Sequence, residues 1–368
     1  MSDRPPLALV HDYLTQRGGA ERVVAALAAA WPDAPVYTSF YEPHSTFPEF
    51  ERHSVHTLPI DRVGLLRHHH RLALPFLAPA FSRLVVDAEV TVCSSSGWAH
   101  GAPVRGRKVV YCHTPARWLY QSSDRYLTGT SQAAAAVVVA SFGPFLRRWD
   151  RNAASTADRY LANSRAVRDR IAALYGIEAE VVYPPVDFPT EGETRAPENV
   201  EPGFTLCVSR LLPYKNVEAV CAAFGRLADQ RLVVVGTGPL RARLAQSSPS
   251  NVTVLGSVDD STLRWLYRSC SGLVAASFED FGLTPVEAAG FGKPTAALRW
   301  GGYLDTIVEG RTGVFFDQPS GEAIAEALSL LAASEWEVDS LRAHAERFSR
   351  PMFIERMNQV IEEERARL

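Results

Sequence analysis

Apolar and polar positions fall in alternating blocks along this chain. In the first half, residues 7–10, 85–93, 108–112, 160–162 and 181–183 are short apolar runs that read as strands, and a helix starts at about Ala20 behind a glycine turn. In the second half, 204–208, 232–235, 252–255, 273–276, 294–297 and 314–316 read as strands. Between the first two of these, Val217, Val220, Cys221, Phe224, Leu227 and Ala228 recur at helical spacing. Strand–helix alternation twice over predicts an α/β chain with two doubly wound parallel sheets, whose ligands sit at the carboxyl ends of the strands. The polar, proline-rich stretch after Tyr183 reads as a linker. The expected organisation is a first domain over 1–188, a linker over 189–202 and a second domain over 203–348. A charged helical tail follows over 349–368, with Met352, Phe353, Met357, Val360 and Ile361 along one side.

Composition narrows the class. The chain has 368 residues, 46% hydrophobic and 21% charged, with a net charge of −3, which suits two ordinary globular domains. It argues against disorder, collagen and a disulfide scaffold, and the near-neutral balance argues against nucleic acid as a partner. Five cysteines with no Cys-x-x-Cys pair read as small core residues. Four apolar residues before His11-Asp12 are too few for a signal peptide, and no run of about 18 apolar residues spans a bilayer, so the cytoplasm is expected. Of the 38 basic residues only Lys108, Lys215 and Lys293 are lysine.

Basic residues gather in two places, 62–83 and 147–170. The first has four arginines, three histidines and no acid, interleaved with leucine and phenylalanine. It reads as a surface for anionic lipid headgroups, peripheral on the inner face of the membrane, or as a helix pair on the sheet with solvated arginines. His68-His69-His70 makes no metal site, because successive helical residues point about 100° apart. The weakly polar stretch 133–145, followed by Arg147, Arg148 and Arg151, is a second candidate for lipid or acceptor contact, or an ordinary buried helix.

Candidate chemistry lies in loops after strands. Gly18-Gly19 precede the first helix and let its free N–H groups approach an anion, or serve as a plain turn. Arg210 and Lys215 follow the strand at 204–208, where a forked and a point cation suit a diphosphate, and Asn216 reads as a helix N-cap. Glu279 lies in the loop after 273–276, and the N–H groups of Phe281, Gly282 and Leu283 lead into a helix start. Thr284, Pro285 and Glu287 fit a capping box. His113 ends a strand before Thr114-Pro115, facing a ligand or serving as a buried structural histidine. Gly236-Thr-Gly238 lacks the third glycine of a dinucleotide fingerprint.

Taken together, these segments resemble retaining glycosyltransferase family 4, with its GT-B fold of two Rossmann-like domains facing across a cleft. Glu279 and Glu287 match its Glu-x7-Glu spacing, and Ser209-Arg210-Leu211 with Lys215 looks like its phosphate signature. Gly18-Gly19-Ala20-Glu21 is similar to its glycine loop, and the 301–313 segment matches a later donor-domain stretch. The resemblance implies that Arg210 and Lys215 hold the donor diphosphate and that Gly18 and Gly19 close on the phosphates. It places Glu287 on the ribose, Glu279 with the 281–284 backbone on the donor sugar, His113 near the reacting carbon and Val258 near the base. It also implies a tail helix that crosses back to the first domain, no cofactor and no metal. The segment 111–120, with His113-Thr114-Pro115-Ala116-Arg117, looks like a subgroup of bacterial polysaccharide and glycolipid enzymes. That favours mannose from GDP-mannose as donor and a lipid-linked or glycan acceptor. A UDP-sugar donor, a sugar-nucleotide epimerase and a plain binding module are the alternatives.

Overall fold

The computed structural model describes residues 5–68, 73–120, 130–186 and 189–368. His69, His70, Arg71 and Leu72 of the basic 62–83 element, and Asp187 of the proline-rich stretch, lie outside them. The chain divides into two units, 1–185 with 350–368, and 186–349.

The first unit is built on one parallel sheet. Its strands are β1 (Leu7–His11), β2 (Val36–Thr38), β3 (Val55–Thr57), β4 (Val90–Ser95), β5 (Arg107–Cys112), β6 (Arg159–Ala162) and β7 (Glu180–Val181), in the order β3-β2-β1-β4-β5-β6-β7. The helices are α1 (Gly19–Ala30), α2 (Gly64–His68), α3 (Leu74–Ser82), α4 (Arg117–Tyr120), α5 (Thr130–Ala154) and α6 (Arg165–Tyr175). The expected strand over 85–93 starts at Val90 instead. Val86 makes only an isolated bridge to Val104, and Val85 is exposed. β2 and β3, three residues each, carry too little periodicity to be seen in the sequence. β7 stops short of Tyr183, and prolines 184 and 185 that follow have no N–H for a ladder.

The tail of the chain belongs to this unit and forms a helix over Arg350–Arg365. Phe353, Met357, Val360 and Ile361 are buried in the cluster that holds Leu7, Leu9, Val23 and Leu27. Each such burial is worth about 1.5–3 kcal/mol. Met352, expected on the same side, is exposed. The helix is also tied by charge. Glu364, fully buried, accepts from Arg107 Nε and Nη2 at 3.0 and 2.7 Å.

The second unit is a six-stranded parallel sheet. Its strands are β8 (Thr205–Val208), β9 (Leu232–Val235), β10 (Val252–Gly256), β11 (Gly272–Ala275), β12 (Thr295–Leu298) and β13 (Gly313–Phe316), in the order β10-β9-β8-β11-β12-β13. Its helices are α7 (Val217–Phe224), α8 (Arg241–Ser247), α9 (Asp260–Ser269), α10 (Leu283–Gly290), α11 (Tyr303–Thr306), α12 (Gly321–Ala333) and α13 (Val338–Glu346), so the tail helix Arg350–Arg365 is α14. Asp259 caps α9 by accepting from Thr262 N at 2.8 Å. The stretch read as a linker packs on that helix. Arg264 Nε donates to Pro189 O at 3.0 Å and Arg268 Nη2 to Thr190 O at 2.6 Å. Among the described residues no helix is long and apolar enough to cross a membrane.

Candidate active site

In a doubly wound sheet the two central strands wind their following helices to opposite faces, and their carboxyl ends open a crevice. In the second unit these strands are β8 and β11. The loop after β8 carries Arg210 and Lys215, and the loop after β11 carries Glu279. Lys215 ends a tight turn over Pro213–Lys215 and is 6% exposed. Its Nζ donates to Glu279 Oε1 and lies 5.0 Å from the centroid of the Tyr214 ring. Arg210 is exposed, and its Nη2 donates to the Tyr214 hydroxyl at 3.2 Å. A buried ammonium is tolerated here because a carboxylate faces it.

Asn216 does not cap α7. It adopts φ 55°, and its Nδ2 donates to Ala276 O at 2.8 Å, which ties the β8 loop to the end of β11. An asparagine suits that left-handed position, and the side chain is spent on the neighbouring strand. Gly236 and Gly238 have a local structural reason to be glycine. At φ 143° and 154° they back onto the Ser209 and Leu211 carbonyls, where any Cβ would collide with the loop that presents Arg210.

The capping box at Thr284 and Glu287 does not form. The helix starts two residues earlier, at Leu283 behind Gly282, so Thr284 lies inside the first turn and no side chain caps it. Gly282 precedes α10 at φ 87°, and a Cβ on it would sit 2.5 Å from Tyr303 Cε1. Glu287, freed from capping, accepts from the Tyr267 hydroxyl at 2.7 Å. Tyr267 stacks on Phe291 at 5.3 Å, and Val258, half-buried, packs against the same cluster. Phe281 is buried against Phe348, while Leu283 and Thr284 are half-buried. The Tyr303 phenol is held well above its usual range, first by burial and then by the charge of Glu279.

The first unit has its own crevice, between β1 and β4. Gly18 stands at the N-terminus of α1, and Gly19 opens the helix. Glu21, buried in the first turn, accepts from Gln16 Nε2 at 3.0 Å. His113 follows β5 and is buried, with Nε2 2.7 Å from Ser94 Oγ. That oxygen is also 3.1 Å from His11 Nδ1. Asp12 accepts from the backbone N–H groups of Ser96, Trp98 and Ala99 at 2.6, 3.1 and 2.6 Å. Sequence reasoning did not select His11, Asp12, Ser94, Tyr214 or Tyr267. The pair His11-Asp12 directly after the first apolar run was the one available signal. Nothing in a single chain marked the others.

Two units of this topology, each with polar side chains gathered at the strand ends between its central strands, define the two-domain α/β class known as the GT-B fold. Comparison with known proteins agrees. The family described as Glycosyltransferase Family 4 matches residues 17–188, and the family of glycosyl transferases group 1 matches residues 191–350. The chain belongs to these glycosyltransferases. A glycogen synthase of Thermus thermophilus is 31% identical over 199 residues, covering 48% of this chain and 46% of that protein. A GDP-mannose-dependent alpha-mannosyltransferase of Corynebacterium glutamicum is 34% identical over 140 residues, covering 38% of this chain and 32% of that protein. The matched part thus spans about half or less of those relatives. Among solved structures, Anabaena HepE in complex with UDP-glucose superposes with a TM-score of 0.68 at 19% identity, covering 98% of this chain and all of that one.

Proposed function

We propose that this protein is a retaining glycosyltransferase that moves a sugar from a nucleotide donor to a lipid-linked, glycolipid or polysaccharide acceptor. The observation that carries this reading is the placement of Arg210 and the Lys215–Glu279 pair at the switch point of the second sheet, beside the start of α10. Arg210 and Lys215 take the diphosphate and stabilise the charge that develops as it leaves. The approach of a phosphate releases Lys215 from Glu279, whose carboxylate then turns to the sugar hydroxyls with the 281–284 backbone. Glu287, oriented by Tyr267, takes the ribose, and Val258 lies at the base. Gly18 and Gly19 serve the phosphates and His113 the sugar.

In the transfer, the bond from the anomeric carbon to the diphosphate oxygen breaks and a bond to the acceptor oxygen forms on the same face. The acceptor proton passes to the departing phosphate oxygen. No side chain has to act as nucleophile, and a trapped covalent glycosyl-enzyme would refute this route. The reaction needs no metal in this reading, so EDTA should leave turnover intact.

GDP-mannose is the favoured donor. The His113–Arg117 segment and the named Corynebacterium relative support it, while UDP-glucose in the Anabaena structure supports a UDP-sugar as the alternative. An anionic membrane surface is the proposed place of action, on the cytoplasmic side. Phe76 on α3 and Phe142 and Phe145 on α5 are exposed. On α5, Pro144, Arg147, Arg148, Arg151 and Asn152 line an open pocket of about 420 Å³. A thermal-shift series with GDP-mannose, UDP-glucose and other nucleotide sugars tests the donor, since a saturating specific ligand stabilises by RT ln(1+[L]/Kd). Labelled sugar entering membrane lipid extract tests transfer. A rearranged free sugar nucleotide instead would identify an epimerase.

A further inference from the structure

We infer that His11 and Ser94 are positioning residues that fix the tautomer of His113, so that His113 offers Nδ1–H as a donor. The inference rests on the proposed place of His113 at the donor sugar.

β1 and β4 are the neighbouring strands at which the strand order of the first sheet reverses, and His11 and Ser94 are direct partners in their register. Both are buried, at 1% exposure each. His11 Nδ1 lies 3.1 Å from the Ser94 carbonyl oxygen and 3.1 Å from its Oγ. A carbonyl oxygen can only accept, so His11 Nδ1 carries the proton. Ser94 Oγ therefore accepts from His11, and its own hydrogen is left for the other neighbour within reach, His113 Nε2 at 2.7 Å. His113 Nε2 is then an acceptor, and the proton of the neutral ring sits on Nδ1. The arrangement leaves His11 Nε2 buried without a hydrogen-bond partner among the described residues. The Tyr111 ring, edge-on to His113 with centroids 5.2 Å apart, restricts the imidazole from one side.

The consequence is chemical. A ring fixed this way presents a donor and matches an acceptor oxygen of a sugar, a hydroxyl or the ring oxygen. In the other tautomer it would offer a lone pair at Nδ1 and repel that oxygen.

The full chain with ¹⁵N-labelled histidine, recorded at pH 8, tests this by two-bond ¹H–¹⁵N correlations, with His113→Gln identifying the resonance. The expected wild-type pattern is protonated Nδ1 and bare Nε2 at His113. Ser94→Ala should move the proton toward Nε2 and lower kcat about 10-fold or more, as wrong-tautomer variants of catalytic histidines do. His11→Leu should also lose the pattern. His11→Asn should keep it, because the asparagine Nδ2 occupies the place of Nδ1 and still donates to Ser94. A wild-type ring protonated at Nε2, or a pattern unchanged in both Ser94→Ala and His11→Leu, would overturn the inference. Failure of the wild type to transfer any sugar would sink the functional reading instead, and the tautomer measurement would be unaffected by it.

Discussion

The crevices of the two units solve different electrostatic problems at the same topological position. In the second, between β8 and β11, full charges meet: Lys215 is buried against Glu279, and Arg210 stands in solvent beside them. In the first, between β1 and β4, the groups that meet are two imidazoles and a hydroxyl, those of His11, His113 and Ser94. Of the carboxylates there, Asp12 has given its oxygens to three backbone N–H groups and Glu21 accepts from Gln16. A crevice that keeps a cation ready suits an anionic leaving group, whose charge is largest as the bond breaks. A crevice of mutually oriented hydrogen-bond groups suits a sugar, which is recognised by direction and not by charge.

Four substitutions break or sharpen that contrast. The largest effect belongs to Lys215→Ala. Loss of the cation should cut turnover about 10²–10³-fold, the scale of removing one group that stabilises transition-state charge. Turnover within a few-fold of wild type, in a protein that melts normally, would remove Lys215 from the site. Next is Asp12→Ala, which leaves three backbone donors without their acceptor. It should destabilise the first unit by about 2–4 kcal/mol, given about 1–3 kcal/mol for each buried donor left unmade and partial relief by water. Calorimetry should show the melting transition of that unit falling while the other holds.

Gly282→Ala comes third. A left-handed residue with a Cβ costs roughly 1–2 kcal/mol, and the methyl also meets the Tyr303 ring. Donor affinity in a titration should fall with stability, because the start of α10 shifts. The smallest effect is a pH dependence in the second unit. His344 Nε2 donates to Thr306 O at 2.9 Å, and burial first, then Arg347 and Arg311, hold its pKa below the usual histidine value. The folded state thus binds this proton less readily than the unfolded chain. The contribution is fully present above the unfolded value of about 6.5 and is lost as pH falls below it. His344→Gln, which keeps the bond to Thr306, should flatten the fall in melting temperature between pH 7 and 5. An unchanged slope would show that other groups govern it.

Much of this is legible in the sequence. The apolar run 232–235 became β9 without adjustment, and the loops after β5, β8 and β11 carry His113, Lys215 and Glu279 where strand ends were read. Short-range signals misled where a side chain had a choice of partner. Asn216 and Glu287 both looked like caps, because Asn, Thr-Pro and Glu at those offsets satisfy a helix start locally. Ala276 O and the Tyr267 hydroxyl, 60 and 20 residues away, took them instead. β2 and β3 escaped because a three-residue strand is held by its neighbours and not by its own pattern.

The sequence by itself determined the class of fold and the loops that bear charge, because alternation of period and the chemistry of glycine, proline and cations are properties of neighbouring residues. The tertiary structure alone decided which groups face one another. That Lys215 is neutralised by Glu279, that Glu287 is held by Tyr267, and that His113 shares Ser94 with His11 all depend on strand order and register, which place side chains up to 83 residues apart within one hydrogen bond.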